Sequence, residues 1–140
     1  MIYLDTSAAV PLFVPEPISD AVEGWFAACT DVVVAADWIC TEVASALSIK
    51  VRRAEISAEQ AQAAWDEFAA FCGAGLRLVP VSRGAFAQAA RLARAAGSGL
   101  RAGDSLHLAV AIDIGASSLA TADGNLEANA RLQGLTTVRF

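Results

Sequence analysis

Four carboxylates stand out by where they fall along the chain. Asp5 ends the apolar run M-I-Y-L, Glu42 lies in T-E-V-A-S-A-L, Asp104 in A-G-D-S-L-H-L-A, and Asp123 two residues past Thr121 in L-A-T-A-D-G-N-L. Carboxylates gathered in one place repel, and they relieve the repulsion by taking up protons or by binding a cation. With no His or Cys expected among the ligands, a set of hard oxygen donors selects Mg²⁺ or Mn²⁺ over zinc. Taken singly, each acid is explained as well by helix capping, because Asp at a helix start accepts backbone N–H groups. Capping alone supplies no reason for four of them to share one rim.

That rim is set by the elements. Met1–Leu4 reads as a short strand buried on both faces, and a carboxylate at the C-terminal end of such a strand sits where open α/β sheets hold ligands. Further strands are expected at 32–35, 76–81, 117–121 and 136–140. Pro11–Pro17 is turn-prone, and Ile18, Val22, Trp25 and Phe26 then recur at helical spacing. A helix is expected from Trp38 to Arg53, with Glu42 in its first turn. Ser57 and Gln60 form a capping-box pattern for the next, with the stripe Ala61, Ala64, Trp65, Phe68, Phe71 and Cys72, ended by Gly73 and Gly75. The helix after Ser82 should turn Phe86, Ala89, Ala90 and Ala93 inward. Two more are expected over Asp104–Ile114 and Asp123–Leu132. Strands alternating with helices imply a parallel sheet with right-handed crossovers, so strand ends and helix starts meet at one edge.

The 140 residues are read as one domain, 1–140. An apolar fraction of 56% suggests a face buried against another chain. Net charge is −5, which argues against simple electrostatic attraction to nucleic acid. The distribution tells more, since no Lys or Arg precedes Lys50. Lys50, Arg52, Arg53, Arg91 and Arg94 are candidate phosphate contacts, or else charges that solvate helix ends. Three cysteines without C-x-x-C spacing, no membrane span and no basic signal start lead to the expectation of a cytoplasmic protein with reduced thiols. His107, the only histidine, is expected to be packed and hydrogen-bonded, which leaves no Ser-His-Asp arrangement to argue.

In their order and spacing, I-Y-L-D-T-S-A, T-E-V-A-S-A-L, L-R-A-G-D-S-L-H-L-A and L-A-T-A-D-G-N-L-E-A-N-A-R-L-Q-G-L resemble the PIN-domain ribonucleases. Among these the chain is similar to the VapC-like toxins of type II toxin–antitoxin pairs. The resemblance implies a three-layer α/β/α fold with a five-strand sheet in the order 3-2-1-4-5, which makes the first and fourth strands neighbours. It maps an acidic site onto Asp5, Glu42, Asp104 and Asp123, with Thr6 and Thr121 as hydroxyl neighbours. Asp5 and Asp104 would then bind Mg²⁺ or Mn²⁺ directly, and RNA would be hydrolysed to a 5′-phosphate and a 3′-hydroxyl. The partners implied are RNA, a cognate antitoxin whose Arg or Lys enters the carboxylates, and a second copy of the chain, for which the Trp65-Phe68-Phe71 stripe is a candidate face. The segment Ile18–Phe26 would offer the antitoxin a second landing surface. Three alternatives stand beside this reading: a PIN-fold RNA-processing nuclease outside a toxin–antitoxin pair, a catalytically silent module, and an acidic Mg²⁺-binding receiver domain. The last needs a phosphorylatable Asp ending a middle strand and a nearby Lys, whereas the third strand ends in V-P-V-S and the single Lys lies in a helix.

Overall fold

The computed structural model describes residues 1–140. Its centre is β1 (Ile2–Leu4), which pairs in parallel with β2 (Val33–Ala36) on one side and β4 (Ser118–Thr121) on the other. The short β3 (Arg77–Val79) and β5 (Thr136–Arg139) form the edges, giving the order β3-β2-β1-β4-β5. The expected 3-2-1-4-5 sheet is therefore present. It differs from the 2-1-3-4-5 order of receiver domains, which removes that alternative.

Alternation along β1 divides the core in two. Ile2 and Leu4 face one cluster, with Val33, Ala35 and Ala120, while Tyr3 faces the other, with Ala36 and Leu119. The first face is covered by α1 (Thr6–Ala9), α2 (Ser19–Ala28), α3 (Trp38–Arg52) and α4 (Ala58–Ala74). The second is covered by α5 (Arg83–Arg94), α6 (Ala102–Asp113) and α7 (Gly124–Leu132). These are the three layers expected.

The register positions the site. Tyr3 stands opposite Leu119 and Leu4 opposite Ala120. The Asp5 N–H then donates to Ala120 O at 3.0 Å, which sets Asp5 beside Thr121 where the two strands end. No helix is long and apolar enough to cross a membrane.

Several boundaries and faces differ from expectation. The third strand is only three residues long, because Pro80 lacks an N–H and this edge is half exposed. Gly73 continues α4, and only Gly75 ends it. In α5 the inward side is Ala85 and Ala89, whereas Phe86 is 56% exposed and Ala90 and Ala93 face outward. A helix this rich in alanine gives little contrast between its faces, and Phe86 pulled the reading the wrong way. The stripe on α4, expected to be core or a face for a second copy, is core at Ala64 and Phe68 and only half-buried at Ala61, Trp65, Phe71 and Cys72. Phe68 is buried, and Phe13 and Phe26 of the opposing segments pack edge-on against Phe68 and Phe71.

Candidate active site

Asp5 follows β1 and caps α1, its Oδ2 accepting from the Ser7 N–H at 3.2 Å. The same oxygen accepts from Ser7 Oγ at 2.5 Å and Thr121 Oγ1 at 2.9 Å. Ser7 Oγ also accepts the Ala122 N–H, so one hydroxyl joins the ends of β1 and β4. Asp5 is 4% exposed, and its Oδ1 carries no hydrogen bond. Capping and site formation are thus compatible, one oxygen serving each.

Glu42 reaches the same point from the second turn of α3. Its Oε2 accepts from the Thr6 hydroxyl and from His107 Nε2, the latter at 2.5 Å. The other oxygen, Oε1, is turned toward Gly103 at the start of α6. A Cβ on Gly103 would collide with that oxygen and would stand 3.7 Å from Trp38 Nε1. That indole nitrogen is buried without a partner. Burial alone would push the Glu42 carboxyl up, but the hydrogen bond and charge of His107, with Thr6, hold it below the usual Glu range.

His107 is 1% exposed, as expected of a packed histidine, but its placement among the acids was missed. Nδ1 shares a 2.8 Å hydrogen bond with the Tyr3 hydroxyl, which accepts the Ala36 N–H at 3.2 Å. Nε2 faces Glu42 and stands 3.6 Å from Asp5 Oδ1. Burial would lower its pKa, yet the Glu42 hydrogen bond and the charges of Asp5, Glu42 and Asp104 raise it. The available signal was its position three residues after Asp104, hence on the same helical face. Asp5, Glu42 and His107 each offer a ligand atom within 4.8 Å of the others. His107 thus stands among the acids, where no histidine was expected, with its Nε2 already bonded to Glu42.

Asp104 is the third residue of α6, not the first, and its Oδ2 accepts the Arg101 N–H at 3.0 Å. Burial first, then the charges of Asp123, Asp5 and Glu42, push its carboxyl above the usual range. Asp123 caps α7, accepting from the Leu126 N–H at 2.8 Å, while its own N–H donates to Thr121 Oγ1. All four acids line one open cleft of about 500 Å³ at the carboxyl edge of the sheet. The structure thus brings together Asp5, Glu42, Asp104 and Asp123, with Thr6 bonded to Glu42 and Thr121 to Asp5 and Asp123. Of the basic candidates only Lys50 lines this cleft. Arg53 is exposed beside Glu55, and Arg91 and Arg94 are exposed on α5.

A family model for the PIN domain matches residues 2–132. No curated protein matches the chain. Among solved structures, VapC20 of Mycobacterium tuberculosis, described as a toxin cleaving the sarcin-ricin loop, superposes with a TM-score of 0.74 at 21% identity, covering 92% of this chain and 95% of that one. VapBC2 of Rickettsia felis, bound to a promoter DNA fragment, gives 0.68 at 20% identity, with 99% and 98% covered. FitAcB of Neisseria gonorrhoeae gives 0.68 at 16% identity, with 98% and 96% covered. At these identities the likeness is one of fold.

Proposed function

The chain belongs to the PIN domain family, and from that premise we propose that it is a metal-dependent endoribonuclease acting as the toxin of a type II toxin–antitoxin pair. The observation that carries the nuclease reading is the convergence of Asp5, Glu42, Asp104 and Asp123 on one open cleft. The donor chemistry fits a divalent cation. Asp5 and Glu42 each commit one oxygen to protein hydroxyls or N–H groups and leave the other unbonded. Gly103, having no Cβ, leaves the room that this Glu42 oxygen occupies. His107 Nε2 is already engaged by Glu42, so the unbonded donors are oxygens, which favours Mg²⁺ or Mn²⁺.

Asp5, Asp104 and the free Glu42 oxygen would hold the ion, with Asp123 holding or orienting from the rim. When bound, the ion supplies charge to polarise a phosphodiester oxygen and lowers the pKa of a nearby water. The protein's own contribution is to fix these oxygens. Thr121 and Ser7 lock Asp5, and Thr6 and His107 lock Glu42 as an anion. In the free protein the His107 N–H offsets part of the repulsion between the two. Hydrolysis by water would leave a 5′-phosphate and a 3′-hydroxyl.

The toxin reading is supported by the fold shared with VapC20 and with the VapBC2 and FitAcB complexes. An antitoxin Arg or Lys entering the cleft would satisfy the same free oxygens by charge-assisted hydrogen bonds. A second copy is proposed to cover the exposed apolar face of α5 and α6, where Phe86 is 56% exposed beside an apolar groove.

The test is cleavage of a mixed RNA pool with Mg²⁺ or Mn²⁺, with chelator as control. Asp5→Asn and Asp104→Asn should each lose more than about 100-fold in rate, beyond the loss typical of a supporting residue at a metal site. Full activity in either variant overturns the assignment. Asp104→Asn should also raise the metal-free melting temperature at neutral pH. Its raised pKa means that the folded state binds the proton more tightly, so the charged form opposes folding. The advantage of Asn should therefore shrink as pH falls and the wild-type carboxyl protonates. Growth arrest on expression of the chain alone, absent for Asp5→Asn, tests the toxin role.

A further inference from the structure

We infer that the cleft contains a phosphate subsite at Lys50, two helical turns from the acidic centre, for which Glu16 competes with the RNA. The inference rests on reading the cleft as RNA-binding and names where the strand continues. Lys50 is the only lysine in the chain and the only cationic side chain lining the cleft. It lies on α3 eight residues after Glu42, about 12 Å along the helix axis. Ala46 and Ile49 lie between them on the same face, and Val10 and Ile18 complete an apolar floor. Carboxylates at one end, an apolar stretch and a cation at the other match a nucleotide strand with one phosphate held at the acids. The next base and sugar would rest on the floor, and a later phosphate would meet the ammonium.

Lys50 Nζ is held by Glu16 at 2.7 Å and Glu55 at 3.3 Å. Its side chain is only 19% exposed, so it folds against the cleft wall instead of extending into solvent from the helix end. Glu16 comes from the connection between α1 and α2, which is pinned in place. Its N–H donates to Ser19 Oγ at 2.9 Å, and Ser19 Oγ donates to Pro11 O at 2.7 Å. The carboxylate is therefore presented to the cleft by a fixed loop. An arriving phosphate would take the place of Glu16 on the ammonium while Glu55 still tethers Lys50. Net repulsion from the acidic cleft would otherwise fall on every phosphate beyond the scissile one, and Lys50 is the one residue placed to relieve it.

The experiment measures binding of a fluorescent single-stranded oligoribonucleotide in chelator, where it is not cut, across a series of salt concentrations. Lys50→Gln should weaken binding and make the slope of log K against log salt shallower by about 0.7, one phosphate contact on a single strand. Glu16→Gln should tighten binding several-fold, because the competitor for Lys50 is gone, and Lys50→Arg should retain it. A purely structural pair predicts the opposite for Glu16→Gln: no tightening, and no change of slope in either variant. Melting curves confirm that each variant is folded. An unchanged slope for Lys50→Gln, or no tightening for Glu16→Gln, overturns the subsite. Tightening toward polyglutamate but not toward RNA would assign Lys50 to an acidic protein partner and overturn it as well. A wild-type chain that cuts RNA while both variants behave like it refutes the subsite alone. A wild-type chain that neither binds nor cuts RNA refutes the nuclease reading and the subsite with it.

Discussion

Asp5 and Glu42 are each held by one oxygen and free at the other, and this division of labour is what makes the cluster more than a set of helix caps. It depends on a residue with no side chain. Glu42 Oε1 occupies the space that a Cβ on Gly103 would need. Gly103→Ala should be tolerated by α6, since alanine is the better helix former by about 1 kcal/mol. The methyl group must instead push Glu42 Oε1 aside and so turn the carboxylate that Thr6 and His107 hold by its other oxygen. Cleavage should fall at least about tenfold, in the range for residues that support a metal site, while the melting temperature changes by only a few degrees. Wild-type activity in Gly103→Ala would show that the position of Glu42 is immaterial. The four acids were legible in the sequence because residue type and place at a strand or helix end are local properties. The partners were not. His107 meets Glu42 across 65 residues and Tyr3 across 104, and no local pattern encodes such a meeting.

At the scale of elements, legibility followed contrast in side-chain size. β1 and β4 were readable because each is a short apolar run ending in a polar residue, and α3 and α4 because bulky residues mark their buried sides. On α5 the expected inward face holds only at Ala89, with Ala85 in place of Phe86, Ala90 and Ala93. Its buried positions, Ala85 and Ala89, are no larger than its exposed ones, so the one aromatic dominated the pattern although it points outward. The start of α6 was placed two residues late for a related reason. Asp104 looks like an N-cap, but it accepts the Arg101 N–H from inside the first turn. These two phenylalanines separate the readings by experiment. Phe68, 1% exposed between α4 and the sheet, should cost about 3–5 kcal/mol when changed to Ala. Phe86→Ala should stay within about 0.5 kcal/mol, as expected for a surface site. Equilibrium denaturation in urea measures both, and equal losses would mean that Phe86 belongs to the core after all.

Over the whole molecule, the apolar excess seen in the composition has a location. Phe86 stands beside a groove of about 280 Å³ between α5 and α6, lined only by apolar side chains that include Trp38, Ala90 and Leu106. Trp38 belongs to both regions, since its ring lines the groove while its nitrogen lies near the Glu42 carboxylate. A second copy related by a two-fold axis would bury the same face of each chain. The chain should therefore sediment as a dimer at micromolar concentration. Phe86→Glu should return a folded monomer, because the side chain carries little of the monomer's own packing, and its melting temperature should lose only what dimerisation added at the protein concentration used. A wild-type monomer at tens of micromolar would leave Phe86 exposed without a partner copy, and a Phe86→Glu dimer would move the interface elsewhere.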